Sequence, residues 1–127
     1  PWAVFAAIED PVVALVATAI ALRIAADAIW CDLDDAASDR RFGTASIPAR
    51  LGPSAAWATG LVLTALGGGL AALVAPDGRG AAWAIAAVAG GAWLAVRRPP
   101  RVRDLVELRL VVEVAGLALL SAVARLP

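Results

Sequence analysis

Residues 55–75 read AAWATGLVLTALGGGLAALVA, a stretch without a single charge. About 20 consecutive apolar residues in a helix cross the hydrocarbon core of a bilayer, which is about 30 Å thick. A helix that is apolar all round has no polar face to offer water. This run therefore expects lipid or other helices around it, and three further runs resemble it. Residues 12–31 are interrupted only by Arg23 and Asp27. Residues 81–96 make a short run, about 24 Å long as a helix. Residues 105–124 carry Glu107, Arg109 and Glu113 in their first half. Hydrophobic residues form 61% of the 127 and the mean hydropathy is +0.80, whereas soluble domains are about 45–50% apolar. The expected fold is all-α, a polytopic transmembrane helix bundle of about four spanning helices. Residues 1–10 read as a connector or the tail of an earlier helix.

Two patterns support this layout. Trp30, Trp57, Trp83 and Trp93 fall near the expected helix ends, where an aromatic belt places them. Arginines sort by side: Arg40, Arg41, Arg50, Arg97, Arg98, Arg101 and Arg103 fall in the loops at one end, and only Arg79 and Arg125 at the other. By the positive-inside rule the first end is cytoplasmic. The expected location is the membrane of a bacterial cell, with membrane lipid as surroundings. A net charge of zero gives no bulk attraction to nucleic acid. With one cysteine, Cys31, and no histidine, neither an internal disulfide nor an ordinary zinc site can form. A metal here needs oxygen ligands, which favours Mg²⁺.

The oxygen donors concentrate in one place. CDLDDAASDRRFGTASIPARLG, residues 31–52, directly follows the first apolar run. If the helix continues past Cys31, its turn of about 100° per residue puts Asp32, Asp35 and Asp39 within about 60° of one another. Asp34 then lies on the far side, close to the stripe of Arg23 and Asp27. Three like charges on one face repel, so the arrangement calls for a neutralising cation. Arg40 and Arg41 follow as donors for phosphate oxygens, Gly43 permits a turn, and Pro48 limits further helix until the next span.

The pattern Asp32-L-x-Asp35-x-x-x-Asp39-Arg40-x-x-Gly43-x-x-Ser46-I-Pro48-x-x-L-Gly52 resembles the second aspartate-rich motif of the UbiA superfamily of intramembrane prenyltransferases. Cys31 stands where that family commonly has Asn, and the family's first motif does not occur in these residues. The resemblance implies the C-terminal portion of a nine-helix bundle, completed by the N-terminal helices of the same, longer enzyme. It implies Mg²⁺ as cofactor, held with a polyprenyl diphosphate by Asp32, Asp35 and Asp39, with Arg40 on the diphosphate. The implied reaction transfers the prenyl group to a lipophilic or aromatic acceptor in the membrane. A non-catalytic membrane scaffold or paralogue is the alternative. A CDP-alcohol phosphotransferase ranks lower, because its glycine precedes the final aspartates and Gly43 follows them.

Inside the spans, Arg23 and Asp27 are spaced for an i, i+4 ion pair, as are Arg109 and Glu113. Charges at such depth default to functional or paired roles; for Arg23 and Asp27 the alternative to pairing is a part in acceptor binding or in orienting the acidic motif from behind. Cys31 reads as a packing residue, since no base accompanies it.

Overall fold

A computed structural model describes residues 10–75, 78–97 and 101–123; from 110 onward only the side chains of residues 111, 112 and 115 are described. Five helices follow one another: α1 (Pro11–Phe42), α2 (Ile47–Leu51), α3 (Pro53–Val74), α4 (Arg79–Arg97) and α5 (Val102–Val123). No strand occurs among the described residues. Apart from Asp10, the expected connector lies outside them. Asp10 caps α1, its carboxylate accepting from the Val12 amide at 2.8 Å, with Pro11 in the first turn.

Three of the expected spans are helices long and apolar enough to cross a membrane: α1, α3 and α4. At 19 residues α4 exceeds the run read from sequence and reaches about 28 Å. The fourth span is a helix of 22 residues, α5, but Arg103, Asp104, Glu107 and Arg109 fall within its first eight residues. Large apolar side chains point outward on all three long helices, among them Ile24, Leu73, Ile85 and Val96. Small residues line the inside: Ala19, Ala26, Gly60, Gly67, Gly68, Ala87 and Gly91 are buried. This inverts the pattern of a water-soluble bundle. It suits helices that meet lipid outside and approach each other closely within.

The core sits at the α5 end of the bundle and centres on Trp30, which is fully buried with Trp57, Leu94, Val102 and Val106. The two indoles lie 5.5 Å apart, tilted by 41°, within the range of favourable aromatic pairs. Trp30 and Trp57 were expected in an aromatic belt, and the packing assigns them elsewhere. Gly60 on α3 and Gly91 on α4 leave a hollow that receives the Trp30 ring. Trp93 remains on the surface. A Cβ on Gly60 would fall inside the Trp30 indole, whereas one on Gly69 would meet nothing within 4 Å. Gly60→Ala is therefore expected to cost about 1–3 kcal/mol through overpacking. Gly69→Ala should instead stabilise α3 by up to about 1 kcal/mol. Thermal unfolding of both variants in detergent checks the contrast.

Candidate functional site

Helix α1 runs unbroken from its apolar part into the acidic segment. Its 32 residues extend about 48 Å, some 18 Å more than the hydrocarbon core, so the part after Cys31 projects beyond the span. The helix stops at Gly43, whose left-handed φ of 74° suits glycine. Asp39 carbonyl accepts from the amides of Gly43 and Thr44. The chain then makes the short helix α2 with Ser46 at its N-cap and Pro48 buried in its first turn. Pro48 was expected to keep this stretch out of helix. It instead sits where proline suits one, because first-turn amides have no intrahelical acceptor. Gly52, at φ 86°, leads into Pro53 and α3.

The continuous helix keeps Asp32, Asp35 and Asp39 on one face and Asp34 on another. Partial burial, then the charges of Asp39 and Asp35, push the Asp32 carboxyl above the ordinary carboxylate range, with Arg103 acting in the opposite sense. Ionising Asp32 thus works against the folded chain as pH rises through and above that range. Asp32→Asn is accordingly expected to leave stability at neutral pH equal or higher, measured as the unfolding midpoint between pH 4 and 8. Among the described residues no three such side chains are drawn together tightly enough to hold a metal ion. Two causes are visible. Asp32 and Asp39 are about 10 Å apart along the axis, and Asp35 is engaged by α5. Arg103 Nη2 donates to Asp35 Oδ2 at 2.8 Å, an exposed ion pair.

Asp34 meets the same turn of α5. Its two carboxylate oxygens accept from the amides of Val102 and Arg103, both at 2.9 Å. The first amides of a helix need an outside acceptor, and Arg101, which precedes α5, carries none. Asp34 supplies it across 68 residues of sequence. Asp34→Ala is expected to cost about 1–2 kcal/mol, as loss of an N-cap does, and to speed hydrogen exchange at Val102 and Arg103.

The α1–α5 contact also brings the loops after α1 and after α4 to one end of the bundle. Arg40, Arg41, Arg50, Arg97, Arg101 and Arg103 gather there, and Arg79 lies at the other end. Arg40 is exposed, and its Nε donates to the Ala36 carbonyl at 3.2 Å. Arg41 lies over the Phe42 ring at 5.7 Å. Both occupy the last turn of α1, where cations oppose the helix dipole.

One layer deeper, the expected Arg23–Asp27 ion pair is present and largely buried. Asp27 also accepts from Arg109 Nη2 at 3.1 Å. The Arg109 guanidinium covers the Trp30 ring at 4.8 Å, close enough for a cation–π contact. Its side chain is seated against Gly90 and Gly91. The expected Arg109–Glu113 pair involves a side chain outside the described residues. The sequence carried part of this signal: Arg23, Asp27, Trp30 and Asp34 fall within about 60° of α1, and Asp27, Trp30 and Asp34 contact α5 directly. Cys31 is half-buried against the core, as a packing residue should be.

An apolar groove of about 280 Å³ opens between α1, α3 and α4, lined by Val16, Ile20, Val74 and Trp83 with Arg79. Ile20 lies about 18 Å along α1 from Asp32, so the groove is remote from the acids.

Fold and site together define an all-helical bundle with three helices fit to cross a membrane and a charged end that joins carboxylates to arginines. Compared with protein-family models, curated proteins and solved structures, the chain matches none of them.

Proposed function

We propose that this chain is the C-terminal part of a UbiA-type prenyltransferase in a nine-helix bundle, with the acidic end of α1 at the cytoplasmic face of a bacterial membrane. Mg²⁺ and a polyprenyl diphosphate occupy the face of Asp32, Asp35 and Asp39, with Arg40 reaching the diphosphate. The observation that carries this reading is the uninterrupted course of α1 to Phe42, which aligns the three carboxylates just past an apolar span. Asp32 and Asp39 make no ion pair among the described residues. That suits Mg²⁺, which commonly takes one or two carboxylates and completes its shell with phosphates and water. Held by Asp32, Asp35 and Asp39, the metal would supply charge neutralisation for a departing diphosphate. Arg40 stabilises the same developing charge, and the apolar helices keep water from the allylic cation. The prenyl group passes to a lipophilic or aromatic acceptor.

The test is release of inorganic diphosphate from a polyprenyl diphosphate by the full-length protein in detergent. Release is expected with Mg²⁺ and not with EDTA. No release in either, or equal release in both, overturns the assignment.

A second reading, a non-catalytic scaffold, draws on the engagement of both Asp34 and Asp35 by α5. In it the acidic segment fastens two helices and binds no ligand. It predicts that Asp32 and Asp39 can be replaced without consequence.

A further inference from the structure

The apolar groove between α1, α3 and α4 takes about one turn of each helix, from Val16 to Ile20, Ala71 to Ala75 and Arg79 to Trp83. Its concavity comes from small residues. Ala19 is buried, and a Cβ on Gly80 would collide with the Ala71 carbonyl, so the backbones of α3 and α4 touch there. Larger side chains flank this floor, with Val16 and Ile20 exposed and Trp83 half-buried. The groove thus opens outward on helices long and apolar enough to cross a membrane.

Its depth follows from helix register. Gly80 lies against Ala71 and Gly68 against Ala84, which puts Arg79 about level with Ala72. That is about 3 Å inside the end of α3 at Val74. Helix α3 is about 33 Å long, close to the hydrocarbon thickness, so Arg79 stands at the hydrocarbon edge. Trp83 lies one turn, about 6 Å, further in. A cation at the edge with an apolar channel below it matches the order of parts in a phospholipid, phosphate outside and acyl chain within. Arg79 is exposed, and among the described residues lining the groove it alone is charged. Asp10, the described acid at the same end, is turned to the Val12 amide. A guanidinium offers five N–H donors, so it can take a phosphate alongside another partner. The volume of about 280 Å³ falls just below that of pockets enclosing a whole small ligand, about 300–1,000 Å³. It suits a stretch of one acyl chain.

We propose that this groove is a phospholipid site, in which one acyl chain lies along α1, α3 and α4 and Arg79 holds the phosphate at the mouth. The site rests on the bundle crossing a membrane and not on any ligand at the acid face.

The full-length protein in detergent is titrated with phosphatidylglycerol brominated on its acyl chains, which quenches indole fluorescence. The share of Trp83 is the quenching that Trp83→Phe removes. That share is expected to saturate at about one lipid per chain. Arg79→Gln should raise the midpoint about tenfold, because a charge-assisted contact is lost. A brominated fatty alcohol, which lacks the phosphate, should be indifferent to Arg79→Gln. Val16→Phe, which narrows the groove at an exposed position, should weaken both ligands. Trp83 quenching that is absent or never saturates, or equal midpoints in wild type and Arg79→Gln, would overturn the proposal. So would displacement of the brominated lipid by a polyprenyl diphosphate at lower concentration than by phosphatidylglycerol, which would give the groove to a prenyl chain instead.

Discussion

Asp27→Ala is expected to destabilise the bundle by about 3–5 kcal/mol, the scale seen when one partner of a buried ion pair is removed. Asp27 accepts from Arg23 on its own helix and from Arg109 on α5. The change thus withdraws one negative charge from two largely buried guanidinium groups. Arg109 also covers Trp30, around which the core is assembled, so loosening Arg109 loosens the packing as well. Asp27→Asn keeps an acceptor of similar shape and should cost less. Reversible unfolding in mixed micelles measures both. A loss below about 1 kcal/mol for the alanine variant would show that the pair contributes little to holding α1 against α5.

The second large effect concerns turnover rather than stability. Replacing Asp32 and Asp39 together by Asn is expected to lower Mg²⁺-dependent diphosphate release by at least about 10²- to 10³-fold, the range typical when a transition-state charge stabiliser is removed. The same variant should unfold no more easily than wild type, because partial burial and then the neighbouring charges of Asp39 and Asp35 already work against an ionised Asp32. Asp34→Ala should show the reverse, losing stability through α5. The crossed pattern distinguishes a ligand face from a fastening face on the same two turns of helix.

Those two faces were legible from the sequence to different degrees. The rotation of an α-helix separates Asp34 from Asp32, Asp35 and Asp39, and the continuous α1 follows that rule. The Arg23–Asp27 pair and the turn at Gly43 were also readable, since each depends on neighbours within about one helical turn. What Asp34 meets was not. Its partners, the first amides of α5, lie 68 residues away. The only hint was an α5 start without a capping side chain at Arg101.

Trp30 failed for a related reason. Its position near a helix end suggested an aromatic belt, yet burial depended on hollows at Gly60 and Gly91 on two other helices. Local pattern does not encode such complementarity. Arg103 was counted only as part of a basic loop, because its role comes from the α5 turn that Asp34 holds in place. The charges of α5 set a limit of another kind, since hydropathy weighs composition and cannot see that Arg109 is answered by Asp27.

Binding of labelled inorganic pyrophosphate to the full-length protein, with and without Mg²⁺, tests the central claim most directly. Saturable binding is predicted only when Mg²⁺ is present, lost in Asp32→Asn/Asp39→Asn and retained in Asp34→Asn. Binding that ignores Mg²⁺, or survives intact without Asp32 and Asp39, would contradict the assignment of the acid face to a metal and a diphosphate.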